Sequence, residues 1–435
     1  MTGADQWSDV QEWMERSSKL LIKKLSRNDC SWADDPSKHQ CGVYIPYEIR
    51  ESGFFPELKN LNAAKPHIFE SPLPTIWPIT GEAKKSNLKH YSNKGPEMHF
   101  TGVPKDEFSG LTPASMLIGG LLRQPVGGIC HWFMTIDSAT EAAELLESIF
   151  DLGTDFHYGL FDSADALKAR KNETDQLIEE LAAALESGSL QSFIATVSKM
   201  PAPEALAADA QRKYMAQQGI ETLDPYEMPS PGDAIMKISR DIEYALYKRA
   251  EIRYRAAEVV RIVTEGGTDL VASVVHSFPK LDALFLSASQ QRKTRAGRSF
   301  EHHIARVLHD GRIRYEEQAI TGGRRPDFVL PSVAVLTSMT RSFDEAMILS
   351  LKTTLRERWK QVPMEKFRCN LFLATVDDRV SSEAVDGMQA QGIHLVVPES
   401  LKSSKETCYD KKPNVITFRE FFDEEISVRR PRLRY

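Results

Sequence analysis

Arg324-Arg325-Pro326-Asp327-Phe328-Val329-Leu330 and Met347-Ile348-Leu349-Ser350-Leu351-Lys352 decide how this chain is read. The first stretch is a Pro-Asp turn running into an apolar strand. The second is an apolar strand that ends in a lysine. Together they set one carboxylate, Asp327, and one ammonium, Lys352, at neighbouring strand ends. A carboxylate holds a hard divalent cation through oxygen. A lysine beside it can orient or deprotonate an attacking water and stabilise a phosphorane-like charge. This is the chemistry of metal-dependent phosphodiester hydrolysis. Pro-Asp also opens many ordinary turns, so the pair takes its weight from what surrounds it.

Around this pair the pattern predicts an α/β core. A helix over 299–309, N-capped by Ser299, carries Glu301 in its first turn. Strands are expected at 313–318, 327–330, 347–351, 370–376 and 393–397. Helical segments are expected at 355–368, 382–391 and near 417–425. That order gives a mixed central sheet. Upstream, 233–264 reads as one long charged helix containing Arg249, Arg253, Tyr254 and Arg255, and 267–288 as one or two more. Residues 290–298 read as a basic hinge. Pro225, Pro229 and Pro231 mark a boundary, which makes 225–435 one domain and 171–224 a helical linker or insertion.

Residues 1–170 have a different texture. Residues 9–27 carry helical spacing, 39–46 reads as a short strand stopped by proline, and short apolar runs then alternate with Gly, Pro, Asn and Ser clusters. Many short strands with turn signals predict a mainly β domain, a small barrel or sandwich with a helix or two. Lys84, Lys85, Lys89, His90, Tyr91 and Lys94 read as a basic loop within it. Basic and amide groups beside an aromatic can bind phosphate and read base edges, although a lysine cluster by itself is usually a solvated loop.

The bulk numbers exclude several classes. A 41% hydrophobic and 27% charged composition is that of an ordinary soluble protein. No apolar run reaches the roughly 18 residues that span a bilayer, and the start of the chain does not resemble a secretory signal. The 5 cysteines are scattered, with none in a CxxC pair, which suggests neither a zinc site nor a disulfide framework. The expected location is the cytoplasm. The net charge of −6 argues weakly against non-specific nucleic-acid binding, because phosphate contacts come from local patches.

Just past Lys352 stands Arg356-Glu357-Arg358. A guanidinium pairs bidentately with O6 and N7 of guanine, and a glutamate accepts from cytosine N4. Two arginines flanking one glutamate therefore make a compact reader of G·C pairs. For an arbitrary triplet of this kind, a surface ion-pair cluster is the commoner outcome. Glu365 follows as a further acid.

Residues 295–301, 318–320, 325–332, 351–354, 358–361 and 394–401 resemble the catalytic domain of the EcoRII family of type II restriction endonucleases. Residues 24–29 and 39–46 are similar to the same family's effector domain. The resemblance implies a PD-(D/E)xK domain with a mixed central sheet behind an N-terminal DNA-binding pseudobarrel, and Mg²⁺-dependent cleavage of double-stranded DNA at a CC(N/W)GG-type site. By motif match Asp327 is the metal carboxylate and Lys352 the lysine of the centre. Glu365 is a second metal ligand, in a displaced position that matches Ser350 two residues before the lysine. Glu301 is an auxiliary acid. Arg356, Glu357 and Arg358 match the base reader, and Arg249 and Tyr254 align with residues that hold an extruded base. His39 and Tyr44 match DNA-contacting positions of the effector domain. Lys94, Glu97 and His99 stand where the family has a denser basic run. A palindromic site is read by twofold symmetry, so a homodimer is expected, with a cognate DNA methyltransferase as functional partner and activation by a second site bound at the N-terminal domain. Two rivals share the metal site or the fold: a structure-specific or repair nuclease of the same superfamily, and a non-catalytic DNA-binding regulator.

Overall fold

The computed structural model describes residues 3–435 apart from 36, 38–40, 198–199, 266–268, 319–325 and 356–367. Two units emerge from it. The first comprises Met1–Lys171 with Asp378–Ser381 and Ser404–Cys408; the second comprises the remainder.

The first unit is built on one eight-stranded sheet. Its strands are β1 (Ser17–Lys24), β2 (Val43–Ile45), β3 (Ile68–Trp77), β4 (Glu82–Tyr91), β5 (Met98–Thr101), β6 (Met116–Val126), β7 (Ile129–Ile136) and β8 (Tyr158–Asp162). Their spatial order is β2-β5-β4-β3-β7-β6-β1-β8. Every pairing is antiparallel except β3 with β7. Two apolar clusters form around the sheet. Leu21, Trp77, Phe100 and Phe133 belong to one, and Leu20, Ile22, Trp132 and Met134 to the other.

The expected helix over 9–27 is corrected here. The helix ends at Glu15, and the following residues form β1. Leu20 and Ile22 enter one cluster while Leu21 enters the other, so this strand is apolar on both faces. Such a run loses its period-2 signature and is indistinguishable from a helix by pattern alone. The basic loop over 84–94 is corrected too. Residues up to Tyr91 form β4, whose full length pairs with β3. Ser86 and Leu88 are buried and the other side chains of this stretch are at least partly exposed. Hydrogen bonds to both neighbours hold a strand whose sequence is almost entirely polar. Gly119 and Gly120 let β6 cross beneath two rings, since a Cβ at Gly120 would stand 2.2 Å from Trp132 Nε1 and one at Gly119 2.3 Å from Phe133.

The second unit carries a six-stranded mixed sheet. Its strands are β9 (Glu316–Glu317), β10 (Phe328–Leu330), β11 (Met347–Leu351), β12 (Asn370–Ala374), β13 (Ile393–Val397) and β14 (Val415–Thr417), in the order β14-β13-β12-β11-β10-β9. The β9-β10-β11 side is antiparallel and the β11-β12-β13-β14 side parallel. Strands covered on both faces read as unbroken apolar runs, and every residue of Met347–Leu351 is buried.

Several expectations in this unit change. The basic hinge over 290–298 lies inside one helix, Leu270–Asp310. Its Gln, Arg, Lys and Ala residues are good helix formers, so a polar composition did not mean a break. Ser299 is accordingly not a cap but a buried mid-helix residue. Asp269 caps the helix, its side chain accepting from the Val271 and Ala272 N–H groups. Of the strand expected over 313–318, only Glu316–Glu317 joins the ladder. Near 417–425 the chain first completes β14 and turns helical at Phe418, with Thr417 and Glu420 forming a capping box. The helix expected over 355–368 lies almost wholly outside the described residues.

The helices Leu190–Val197 and Pro203–Gln218, within the 171–224 stretch, belong to this second unit. Gln211 donates to the Nδ1 of His303 at 3.1 Å, and His303 Nε2 meets Glu243 Oε2 at 2.9 Å. Arg295 pairs with Glu243 and lies 4.0 Å over the Tyr247 ring. These buried bonds fix the register of the long helix that carries Glu301.

Candidate active site

Asp327 and Lys352 meet because of strand direction. β10 and β11 are antiparallel, with Phe328 opposite Leu349. The residue that opens β10 and the residue that follows β11 therefore share one edge of the sheet. Asp327 Oδ2 accepts the Leu351 N–H at 2.6 Å and lies 3.8 Å from Lys352 Nζ. Lys352 Nζ also donates to the Leu351 carbonyl at 2.8 Å, and its own N–H donates to the Ala374 carbonyl at 3.1 Å. Burial pushes the Asp327 carboxyl above its ordinary pKa, against the Lys352 ammonium and the Leu351 N–H, which pull it down.

Glu301 reaches this edge from the long helix. It is half-buried, and Gln318 Nε2 donates to its Oε2 at 2.6 Å. Burial raises its pKa, and the charge of Asp327 adds to that rise; the Gln318 bond and, more weakly, His302 and Lys352 oppose it. Two carboxyls whose ionisation is resisted by burial, and for Glu301 also by the charge of Asp327, form a site that a cation relieves. Oxygen donors of this kind suit a hard divalent metal. Among the described residues no group of three or more His, Cys, Asp or Glu side chains forms a metal cluster, and Glu365, the further acid expected here, lies outside the described residues.

Arg356, Glu357 and Arg358 also lie outside them. Leu355, the residue before this triplet, is buried, and its N–H donates to Asp377 Oδ2 at 2.7 Å. Asp377 thus anchors the start of the segment that bears the triplet. Gln318 and Asp377 were both missed as site residues by sequence reasoning. Gln318 stood only within the 318–320 motif, and nothing in the sequence marked Asp377. Arg249 is exposed on the helix Tyr244–Thr264, and Tyr254 is partly buried on it with the Arg255 guanidinium 5.5 Å from its ring.

In the first unit, register assembles a second polar surface. Tyr44 of β2 stands opposite His99 of β5, His99 opposite Lys89 of β4, and Lys89 opposite Glu70 of β3. Tyr91 packs against His99 at 6.2 Å, and Lys94 Nζ lies 5.1 Å from the Tyr91 ring. Glu97 contributes its carbonyl to the His90 ring at 2.7 Å. Burial lowers the His99 pKa, with the Glu97 charge opposing. Tyr44 is held from behind by Asp29, whose Oδ1 accepts the Tyr44 N–H at 2.7 Å. Lys89 joins this face as strand rather than loop. His39 lies outside the described residues.

Comparison with known proteins finds several similar chains. Residues 257–422 match the family model described as EcoRII C terminal. The type II restriction enzyme EcoRII of Escherichia coli is 25% identical over 399 residues, covering 88% of each chain. The type II restriction enzyme SsoII of Shigella sonnei is 31% identical over 159 residues, covering 34% of this chain and 50% of that one. Among solved structures, metal-depleted Ecl18kI in complex with uncleaved DNA aligns at a TM-score of 0.46 and 24% identity, over 56% of this chain and 85% of that one. No described helix is long and apolar enough to cross a membrane. Residues 257–422 thus match the EcoRII C-terminal domain, and the chain is a site-specific DNA nuclease that is similar to the EcoRII-like type II restriction enzymes.

Proposed function

We propose that this nuclease cleaves double-stranded DNA at a CC(N/W)GG-type site, with Mg²⁺ as cofactor and a homodimer as the working form. The observation that carries the reading is the Asp327 carboxylate beside the Lys352 ammonium, 3.8 Å apart at one sheet edge of a domain whose family match is EcoRII. Asp327 and Glu365 would hold the cation, with Glu301 as the auxiliary acid. When bound, Mg²⁺ would polarise the scissile phosphate and make a water more acidic. Lys352 orients that water and meets the negative charge that develops on the phosphoryl oxygens. Arg356, Glu357 and Arg358 read the G·C pairs, and Arg249 and Tyr254 hold an extruded base by charge and stacking. Cutting then waits on reading, because the lysine and the reader follow one another on a single segment.

The N-terminal unit serves as a pseudobarrel-type effector domain. Its Tyr44, Lys94, Glu97 and His99, with His39, form the surface for a second DNA site. The partly exposed row of tyrosine, histidine and lysine across β2, β5 and β4 supports this. A cognate DNA methyltransferase protects host sites, and the protein works in the cytoplasm.

Digestion of a known genome with Mg²⁺, followed by sequencing of the fragment ends, tests the core of this reading. The expected result is discrete fragments whose ends share a CC·GG-type motif. Ends without a common sequence point to a structure-specific nuclease, and no cutting points to a non-catalytic DNA-binding protein. Two-site plasmids should be cut faster than one-site plasmids, and an added site-bearing oligonucleotide should rescue the latter. Equal rates in every case remove the effector role.

A further inference from the structure

Gln318 stands between the two described acids of the site. Its Nε2 donates to Glu301 Oε2 at 2.6 Å, and its backbone N–H donates to the Asp327 carbonyl at 2.8 Å. Its φ is +46°, in the left-handed region. That conformation is uncommon for residues other than Gly, Asn and Asp. It persists where neighbouring bonds over-determine it, and such residues gather at active sites. Here the two bonds do separate things. The backbone bond ties residue 318 to the strand end that presents Asp327. The side-chain bond reaches the long helix and aims Glu301. Glu301 and Asp327 arise from separate elements, and among the described residues Gln318 bonds to the carboxylate of the first and the main-chain carbonyl of the second.

We propose that Gln318 is a positioning residue of the nuclease centre, whose amide holds the Glu301 carboxylate toward Asp327 and Lys352 so that the acids meet the cation as one set. This rests on the reading of Asp327 and Lys352 as the hydrolytic centre. Supporting bonds of this kind fix the direction of a ligand's lone pairs and raise its affinity. The Gln318 donor also favours the ionised form of Glu301, opposing the effect of burial.

Two variants separate reach from bulk. Gln318→Asn suits the left-handed backbone but is one methylene too short to meet Glu301. Gln318→Leu keeps the bulk without the donor. Each is made alone and with Glu301→Ala, with thermal unfolding as the check on the fold. The readouts are Mn²⁺ binding to the protein on a non-hydrolysable duplex, followed by electron paramagnetic resonance, and single-turnover cleavage of a cognate duplex. Both variants are expected to weaken Mn²⁺ binding and slow cleavage by roughly 10–100-fold, the usual loss when a supporting partner of a metal ligand is removed. Neither should worsen Glu301→Ala, because Gln318 acts through that residue. Wild-type Mn²⁺ affinity and rate in both variants overturns the proposal, as does a loss that adds in full to that of Glu301→Ala. Asp327→Ala is the separate arm. Full cleavage there removes the hydrolytic centre itself, whereas an inactive Asp327→Ala beside an unaffected Gln318→Asn removes only the role of Gln318.

Discussion

Lys352→Ala is expected to bind cognate DNA as well as the wild type and to cut it about 10²–10³-fold more slowly, the loss that follows removal of one preorganised group facing the developing charge. Lys352 follows β11, and about a third of its side chain is exposed. Truncation therefore opens no core cavity, and the fold should survive. What disappears is the ammonium 3.8 Å from Asp327 Oδ2. Asp327→Ala should abolish cutting as well, since it removes the carboxylate that the Leu351 N–H aims into the site. Single-turnover cleavage, paired with a gel-shift assay in metal-free buffer, separates the steps. A rate within a factor of two of wild type for either variant would falsify the assignment. The wild type carries a linked pH signature. Burial raises the Asp327 and Glu301 pKa values, and a carboxyl must lose its proton to hold a cation. Cation affinity should therefore fall as pH is lowered through a range above that of ordinary carboxylates. Restoring occupancy of the site at low pH requires more Mg²⁺.

Asp29→Ala should destabilise the first unit by roughly 3–5 kcal/mol, the cost of leaving a buried charge without its partner. Asp29 is 1% exposed and Lys23 is 5% exposed. Lys23 Nζ meets Asp29 Oδ2 at 2.6 Å, and the same oxygen accepts the Ser26 N–H and hydroxyl, each at 2.8 Å. Oδ1 accepts the Tyr44 N–H at 2.7 Å. One carboxylate thus closes a capping box, neutralises an ammonium in the sheet and pins β2. Trp7, Trp13, Trp32, Trp77 and Trp132 all lie in the first unit and only Trp359 in the second, so tryptophan fluorescence during urea unfolding of the full chain reports mainly on this unit. Adding Lys23→Met should recover most of the loss, because the orphaned charge is then gone. A midpoint unchanged by Asp29→Ala would show that the buried pair contributes nothing net. Binding to a second DNA site should weaken in the same variant, through the loosened strand that bears Tyr44.

The candidate pair Asp327 and Lys352 was legible because its signal is local. A turn residue before one apolar run and a lysine after another fix which ends carry charge, and antiparallel pairing brings those ends together. The core strands Phe328–Leu330, Met347–Leu351, Asn370–Ala374 and Ile393–Val397 were legible for a similar reason. Each is a short apolar run between turn residues. Ser17–Lys24 was not, because a strand buried on both faces lacks alternation. Lys84–Tyr91 was not, because a strand with two buried side chains looks like a loop. In both cases the deciding term is hydrogen bonding to neighbouring strands, which no local window contains.

The same division separates the site's parts. The order of residues along the chain was enough to identify Asp327, Lys352 and the Arg356-Glu357-Arg358 triplet as candidates, because charge type and spacing are properties of the sequence itself. Only the tertiary structure decided that a single helix runs through the basic stretch over 290–298 and delivers Glu301, that Gln318 in a left-handed turn bonds to the Glu301 carboxylate and the Asp327 main-chain carbonyl, and that Asp377 holds the chain just before the triplet. Each of these depends on a hydrogen bond or a packing register between elements distant in sequence, and such contacts exist only once the sheet and the long helix have come together.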